Sequence, residues 1–384
     1  MSLLTEEQMM IQETARELAR KVIAPIAASV DREDTIPKAI INKMAEVGLI
    51  GMTFPAQFDG IDADTLSWVI CLEEIARASA ACADFLATQH SCSTILLHWG
   101  SDAQKQEFLP AVASGDKILA LALTEADAGS DLSAVRTIAR SDTADFVVCG
   151  VKSWVSFGAI ADAVIALVVT EPDSPRRENL SLMLITEFCK GKKEDLLGTR
   201  GIGVTETIFD ECHTPSSFLI GPRGKGFQLI KQALAETRLG AAAISIGLAQ
   251  AALDESLAYA VERSQYGKPI ALFEGIQFML ADMATQVEAA RALTYQAARL
   301  KDNDQAFARI AAEAKLFASN TAMSTAIEAL QIHGAYGYSK DYAIERILRD
   351  AKKNQIYAGT NQIQKLVIAR GLIGSQKRDI LAIH

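Results

Sequence analysis

Closely spaced cysteine pairs are missing from this chain. Its six cysteines (Cys71, Cys82, Cys92, Cys149, Cys189 and Cys212) never stand as Cys-x-x-Cys, which argues against zinc-ribbon and dithiol redox sites and reads as reduced, mostly buried thiols of a cytoplasmic protein. Histidine is scarce. The five residues His90, His98, His213, His333 and His384 show no His-x-x-x-His or His-Glu-x-x-His spacing, so no metal site is expected. There is no excess of basic charge: the net charge of -9 argues against nucleic acid as a main partner. No low-complexity stretch is present. No apolar run is long enough to span a bilayer; the longest, from about Leu239 to Leu253, is broken by Ser245 and Gln250 and fits a buried helix. The first residues, Met1-Ser2-Leu3-Leu4-Thr5-Glu6, lack the basic n-region of a signal peptide.

What the chain has is length and apolar mass. Its 384 residues, 49% of them apolar, predict two or three packed domains. Thr5-Glu6-Glu7-Gln8 reads as an N-cap with a capping box, and helical periodicity follows through Ile11, Ala15, Leu18 and Val22. A second long helix is expected from Leu66 to about Ser79. From about residue 118 the period changes. Phe146-Val147-Val148-Cys149, Val164 to Val169 and Leu182-Met183-Leu184-Ile185 read as strands. Gly221-Pro222-Arg223-Gly224-Lys225-Gly226 lacks the Lys-Ser/Thr ending of a phosphate loop and reads as a turn before a helix. From Phe227 the chain is again helical and Ala-rich, as in a helix bundle. The expected domains are residues 1–117, 118–225 and 226–384: a mainly α chain with a β middle domain.

Two long segments carry chemistry. In Ala122-Leu123-Thr124-Glu125-Ala126-Asp127-Ala128-Gly129-Ser130-Asp131-Leu132-Ser133-Ala134 a Gly-Ser turn exposes backbone N–H groups and Thr124 offers a hydroxyl donor. Gln331-Ile332-His333-Gly334-Ala335-Tyr336-Gly337-Tyr338 is followed by Asp341, Arg346 and Asp350. Between them lie Trp154-Val155-Ser156 and Arg263-Ser264-Gln265-Tyr266-Gly267. In this order the segments resemble the acyl-CoA dehydrogenase family along nearly the whole chain, with Ala335 standing where Gly or Ser is usual. The resemblance implies an α-helical N-domain, a β-barrel and a C-terminal four-helix bundle, assembled as a homotetramer. It implies FAD as cofactor, an acyl-CoA substrate, and an electron-transfer flavoprotein or similar acceptor. By resemblance, Leu123, Thr124, Gly129, Ser130, Trp154, Ser156, Arg263, Gln265, Gln331, Gly334, Thr360 and Gln362 would hold FAD, with Arg263 and Gln331 completing a neighbour's site. Ser130, Arg238, Tyr357 and Gly359 would hold the acyl-CoA.

One element of the resemblance fails. Gln355-Ile356-Tyr357-Ala358-Gly359-Thr360 has Ala where short- and medium-chain relatives carry the Glu that serves as base. Some relatives carry the base just before the first Arg of the bundle, which here is Thr237 before Arg238. Glu236 is next to it, but one step along a helix turns a side chain by about 100°, so it is expected to point elsewhere. Asp84, within Ala80-Ala81-Cys82-Ala83-Asp84-Phe85-Leu86-Ala87, is the candidate base. Its apolar neighbours predict desolvation and a raised pKa, while an N-cap or a solvated helix residue is the structural alternative. This pattern resembles the relatives that act on cyclohex-1-ene-1-carboxyl-CoA, in which a pocket Asp replaces the Glu. An ordinary short- or medium-chain dehydrogenase with Glu replaced by Ala, and a non-catalytic flavin- or acyl-CoA-binding protein, are the competing readings.

Overall fold

The computed structural model describes residues 4–381. The reading of the N-terminus therefore rests in part on residues outside the described range, as does His384. Thr5 caps α1 (Glu6–Leu18) through the capping box with Gln8. Then come α2 (Ala27–Glu33), α3 (Lys38–Glu46), α4 (Thr65–Ala78), α5 (Ala80–Trp99) and α6 (Asp102–Ala113). Ser79 separates α4 from α5 and accepts the Cys82 N–H, so it is Ser79 and not Asp84 that caps α5. Asp84 lies inside the helix.

Eight strands form one sheet: β1 (Leu119–Ala122), β2 (Ile138–Asp142), β3 (Asp145–Val155), β4 (Ala163–Val169), β5 (Leu180–Ile185), β6 (Cys189–Lys193), β7 (Thr205–Thr214) and β8 (Leu219–Ile220). Their order is β6-β7-β3-β2-β4-β5-β8, with β1 parallel to β4. The unbroken apolar runs of β4 and β5 have a simple cause. Both faces are covered, so alternate residues enter different cores. Val164, Ala166, Val168, Met183 and Ile185 face the sheet's own core. Ile165, Leu167, Leu182 and Leu184 join the large core shared with the helices.

The turn at 221–225 leads into α7 (Gly226–Glu262), whose middle is buried on all sides. At 37 residues it is about 55 Å long, and it packs on α4, α5, α8 (Glu274–Asp302), α9 (Ala308–His333) and α10 (Ile344–Asn354). Gly247 permits the crossing with α4: a Cβ there would stand 2.4 Å from the Glu73 carbonyl oxygen and 2.6 Å from the Ala76 Cβ. A short hairpin, β9 (Ser264–Gln265) with β10 (Lys268–Pro269), joins α7 to α8, and α11 (Asn361–Leu381) ends the described chain. All six cysteines are free; Cys189 is exposed. Among the described residues no helix is long and apolar enough to cross a membrane, and no cluster of metal-ligating side chains occurs.

Candidate active site

A cavity of about 700 Å³ opens between the sheet, α5, α7 and the loop joining α10 to α11. This is the size of a typical small-molecule site. Its sheet side is formed by Leu121, Leu123, Thr124, Gly129, Ser130, Trp154 and Ser156, its helical side by Asp84, Ala87, Thr88, Ser91, Leu234 and Thr237, and its loop side by Lys353, Tyr357, Ala358, Gly359 and Thr360.

The sheet side is shaped by backbone irregularity. Pairing of β3 with β7 slips between Lys152 and Val155, and in this bulge Trp154 adopts a left-handed φ of 60°. Bulges re-aim side chains near functional sites. Here the indole is left 59% exposed at the cavity wall. Lys152, two residues earlier, explains how the loop at 123–130 is held. Lys152 is fully buried and donates to Glu125 Oε1 at 2.8 Å and to the Leu123 carbonyl at 3.2 Å. Glu125 also accepts the Arg136 and Thr137 N–H groups and the Thr137 hydroxyl. Burial pushes the Lys152 pKa down to about 8 against the pull of Glu125. Neither residue stands out in the sequence as a site residue, because their pairing crosses 27 residues.

The loop side places Ala358 in the cavity wall with a left-handed φ of 54°. Its neighbours are fastened from behind. Lys315 donates to the Gly359 carbonyl at 2.9 Å and to Asn361 Oδ1 at 3.0 Å. Gln364 Nε2 donates to the carbonyls of Ala358 and Gly359 at 3.1 and 2.7 Å. Burial, helped by the charge of Arg238, lowers the Lys315 pKa to about 7. Arg238 is 8% exposed, and among the described residues its Nε has no partner. Buried Lys315 thus backs the loop at Gly359, with the Arg238 charge acting on it, while position 358 itself carries no carboxylate.

The expectations about carboxylates divide. Glu236 is turned away from the cavity, as one helical step from Thr237 predicts. It meets Lys301 at 2.9 Å and His90 at 3.4 Å. Burial would raise its pKa, but the nearby His90 and His98 imidazoles and the Lys301 charge hold it far below the usual range. Thr237 faces the cavity, 3.3 Å from the Ser91 hydroxyl. Asp84 lines the cavity and is 3% exposed. The expectation of purely apolar surroundings is corrected here: Lys353 Nζ donates to Asp84 Oδ2 and stands 4.1 Å from the centre of the Tyr357 ring. The Tyr357 phenol lies near Asp84; burial and that carboxylate push its pKa well above the ordinary value.

Of the residues expected at the site, Asp84, Leu123, Thr124, Gly129, Ser130, Trp154, Ser156, Tyr357, Gly359 and Thr360 meet at this one cavity. Arg263, Gln265, Gln331, Gly334, Gln362 and the buried Arg238 do not line it. Gln265, Gln331, Gly334 and Gln362 are exposed. Arg263 sits 5.5 Å above the Tyr336 ring, which brings the hairpin beside the turn after α9.

Models of the N-terminal, middle and C-terminal domains of acyl-CoA dehydrogenases match residues 5–116, 120–212 and 224–373. The chain is 42% identical over 375 residues to an acyl-CoA dehydrogenase of Bacillus subtilis, covering 96% of this chain and 99% of that one. It matches butyryl-CoA dehydrogenase from Megasphaera elsdenii with a TM-score of 0.94 at 35% identity, over 97% of this chain and 100% of the other. With a TM-score of 0.95 and 37% identity, over 97% and 99%, it also matches a chain solved in work on the electron transferring flavoprotein of Acidaminococcus fermentans.

Proposed function

The chain belongs to the acyl-CoA dehydrogenase family, and from that membership we propose that it dehydrogenates a cyclic enoyl-CoA, such as cyclohex-1-ene-1-carboxyl-CoA, to a conjugated diene with Asp84 as base. Members of the family are FAD-binding flavoproteins, and the chain is an oxidoreductase acting on the CH–CH group of an acyl-CoA.

The residues present fit FAD. An exposed indole on a bulge offers a face to a flat ring, and Thr124, Ser130 and Ser156 add hydroxyl donors on the same wall. Gly129 has open space where a Cβ would stand. We assign Leu123, Thr124, Gly129, Ser130, Trp154, Ser156 and Thr360 to the flavin, and Ser130, Tyr357 and Gly359 to the acyl-CoA. When bound, FAD supplies the acceptor for the hydrogen that leaves as hydride.

The observation that carries the reading is the choice of carboxylates. Ala358 has no proton acceptor. Two carboxylates line the cavity among the described residues, and Glu125 is occupied by Lys152, Thr137 and the Arg136 N–H. Asp84 is the other. In an enoyl thioester the double bond relays the acidity of the thioester to the γ carbon. Asp84 would take that γ proton, and loss of hydride across the ring would give the diene. Two hydrogens leave and no other bond breaks. A base must lie within hydrogen-bond reach of the proton it removes, and a carboxylate carried by α5 instead of by position 358 suits a carbon beyond the α position. Arg263, Gln265, Gln331 and Gly334 lie outside the cavity, which suits a homotetramer in which they serve a neighbour's FAD. We also propose an electron-transfer flavoprotein or similar acceptor.

Turnover of cyclohex-1-ene-1-carboxyl-CoA and of butyryl-CoA with an artificial acceptor tests the reading. The cyclic substrate is expected to be preferred, and Asp84→Asn to lower its rate by about 10²–10⁴-fold with FAD retained. An Asn variant with most of its rate intact would remove Asp84 from the chemistry.

A further inference from the structure

Lys353 belongs to none of the family-like segments. It lies on α10, whose buried positions include Ile347, Asp350, Ala351 and Asn354. Three residues after Asp350, it falls toward the buried side, where a lysine is rare unless paired. Its side chain is 17% exposed and meets Asp84, whose side chain is 4% exposed. Tyr357, on the loop after the same helix, completes the cluster: its ring lies beneath the Lys353 ammonium, which stands 4.1 Å from the ring centre, and its phenol is near Asp84.

A lone carboxylate in an acyl cavity is costly, because the acyl group displaces the water that would solvate it. A partner ammonium offsets that cost, and the attraction grows as water leaves. We propose that Lys353 is the positioning residue for Asp84, fixing the direction of the carboxylate toward the carbon that gives up its proton. The inference rests on Asp84 as base. The other charged groups on the cavity wall are engaged elsewhere: Arg349 with Asp31 and Glu345, Glu125 with Lys152, and Lys352 with Gln355.

The test measures kcat and KM against pH for cyclohex-1-ene-1-carboxyl-CoA with the FAD-loaded full chain. Lys353→Met is expected to lower kcat by about 10²-fold, with little change in KM. The ascending limb of kcat/KM should move to higher pH, because an unpaired buried carboxylate holds its proton longer. Lys353→Arg should restore the limb and most of the rate. A Met variant with the wild-type rate and limb would overturn the proposal. So would an equal loss with Met and Arg at an unmoved limb, which is the mark of a merely structural role. Should Lys353→Met not fold, the Arg variant keeps the question open to measurement: loss of both rate and limb in an Arg variant that retains FAD would overturn the proposal. Asp84→Asn in parallel separates the two claims. If it keeps its rate, the base assignment fails; if it loses its rate while Lys353→Met does not, the positioning role alone fails.

Discussion

The Lys315 ammonium and the Gly359 carbonyl oxygen, 44 residues apart in the chain, meet at 2.9 Å. Through this contact and the two Gln364 hydrogen bonds, the loop bearing Ala358 is held at its cavity position by side chains other than that of residue 358. The loop is therefore preserved although its expected carboxylate is absent.

Ala358→Glu is expected to raise dehydrogenation of butyryl-CoA by about 10²–10⁴-fold, the usual worth of a general base. The left-handed φ of 54° is already borne by a residue with a Cβ, so Glu adds little backbone strain. Lys315 behind Gly359, with the Arg238 charge acting on it, favours a carboxylate there. Steady-state rates on butyryl-CoA decide it; an unimproved variant would mean that position 358 is not what is missing.

Glu125→Gln should loosen the loop at 123–130. It removes the charge partner of the fully buried Lys152 and weakens a carboxylate hub for two backbone N–H groups. A loss of about 1–3 kcal/mol is expected, together with weaker FAD binding. Lys152 is already depressed to about 8 and sheds its proton more readily without Glu125, so the deficit should shrink between pH 7 and pH 9. Chemical denaturation at both pH values, with FAD titration, checks this; a deficit that grows with pH contradicts it.

Trp154→Ala should leave the apoprotein's thermal midpoint nearly unchanged, because an indole that is 59% exposed contributes little to the core. FAD affinity should fall, since a stacking face is lost. Flavin fluorescence on titration reads the affinity, and an unaltered dissociation constant would take Trp154 out of the flavin site.

Asp350 makes stability depend on pH. Burial pushes its pKa from 3.8 up to about 7, against the Thr199 N–H and the Arg346 charge. With the folded value raised, its contribution is complete below pH 3.8 and is lost as pH rises through about 7. From pH 5 to pH 8 the wild-type midpoint should drop more than that of Asp350→Asn, by on the order of a few degrees. Parallel pH slopes in the two proteins would disprove this role for Asp350.

What could be read from the sequence was local. The capping box at Thr5, the turn before α7 and the alternation of helical and strand periods depend on neighbours within a few residues. The segment 122–134 and the loop with Ala358 are likewise contiguous, so their site residues were legible, and so was the direction of Glu236, which follows from one helical step. The two-core division of β4 and β5 was not legible, since a run buried on both faces has no period to reveal it. Nor was the Glu125–Lys152 hub. The surroundings of Asp84 were misread for the same reason. Its sequence neighbours are apolar, yet its partner Lys353 is 269 positions away on another helix. A charge buried by tertiary packing is compensated by whatever the fold brings to it, and that choice of partner exists only once α5 and α10 have come together.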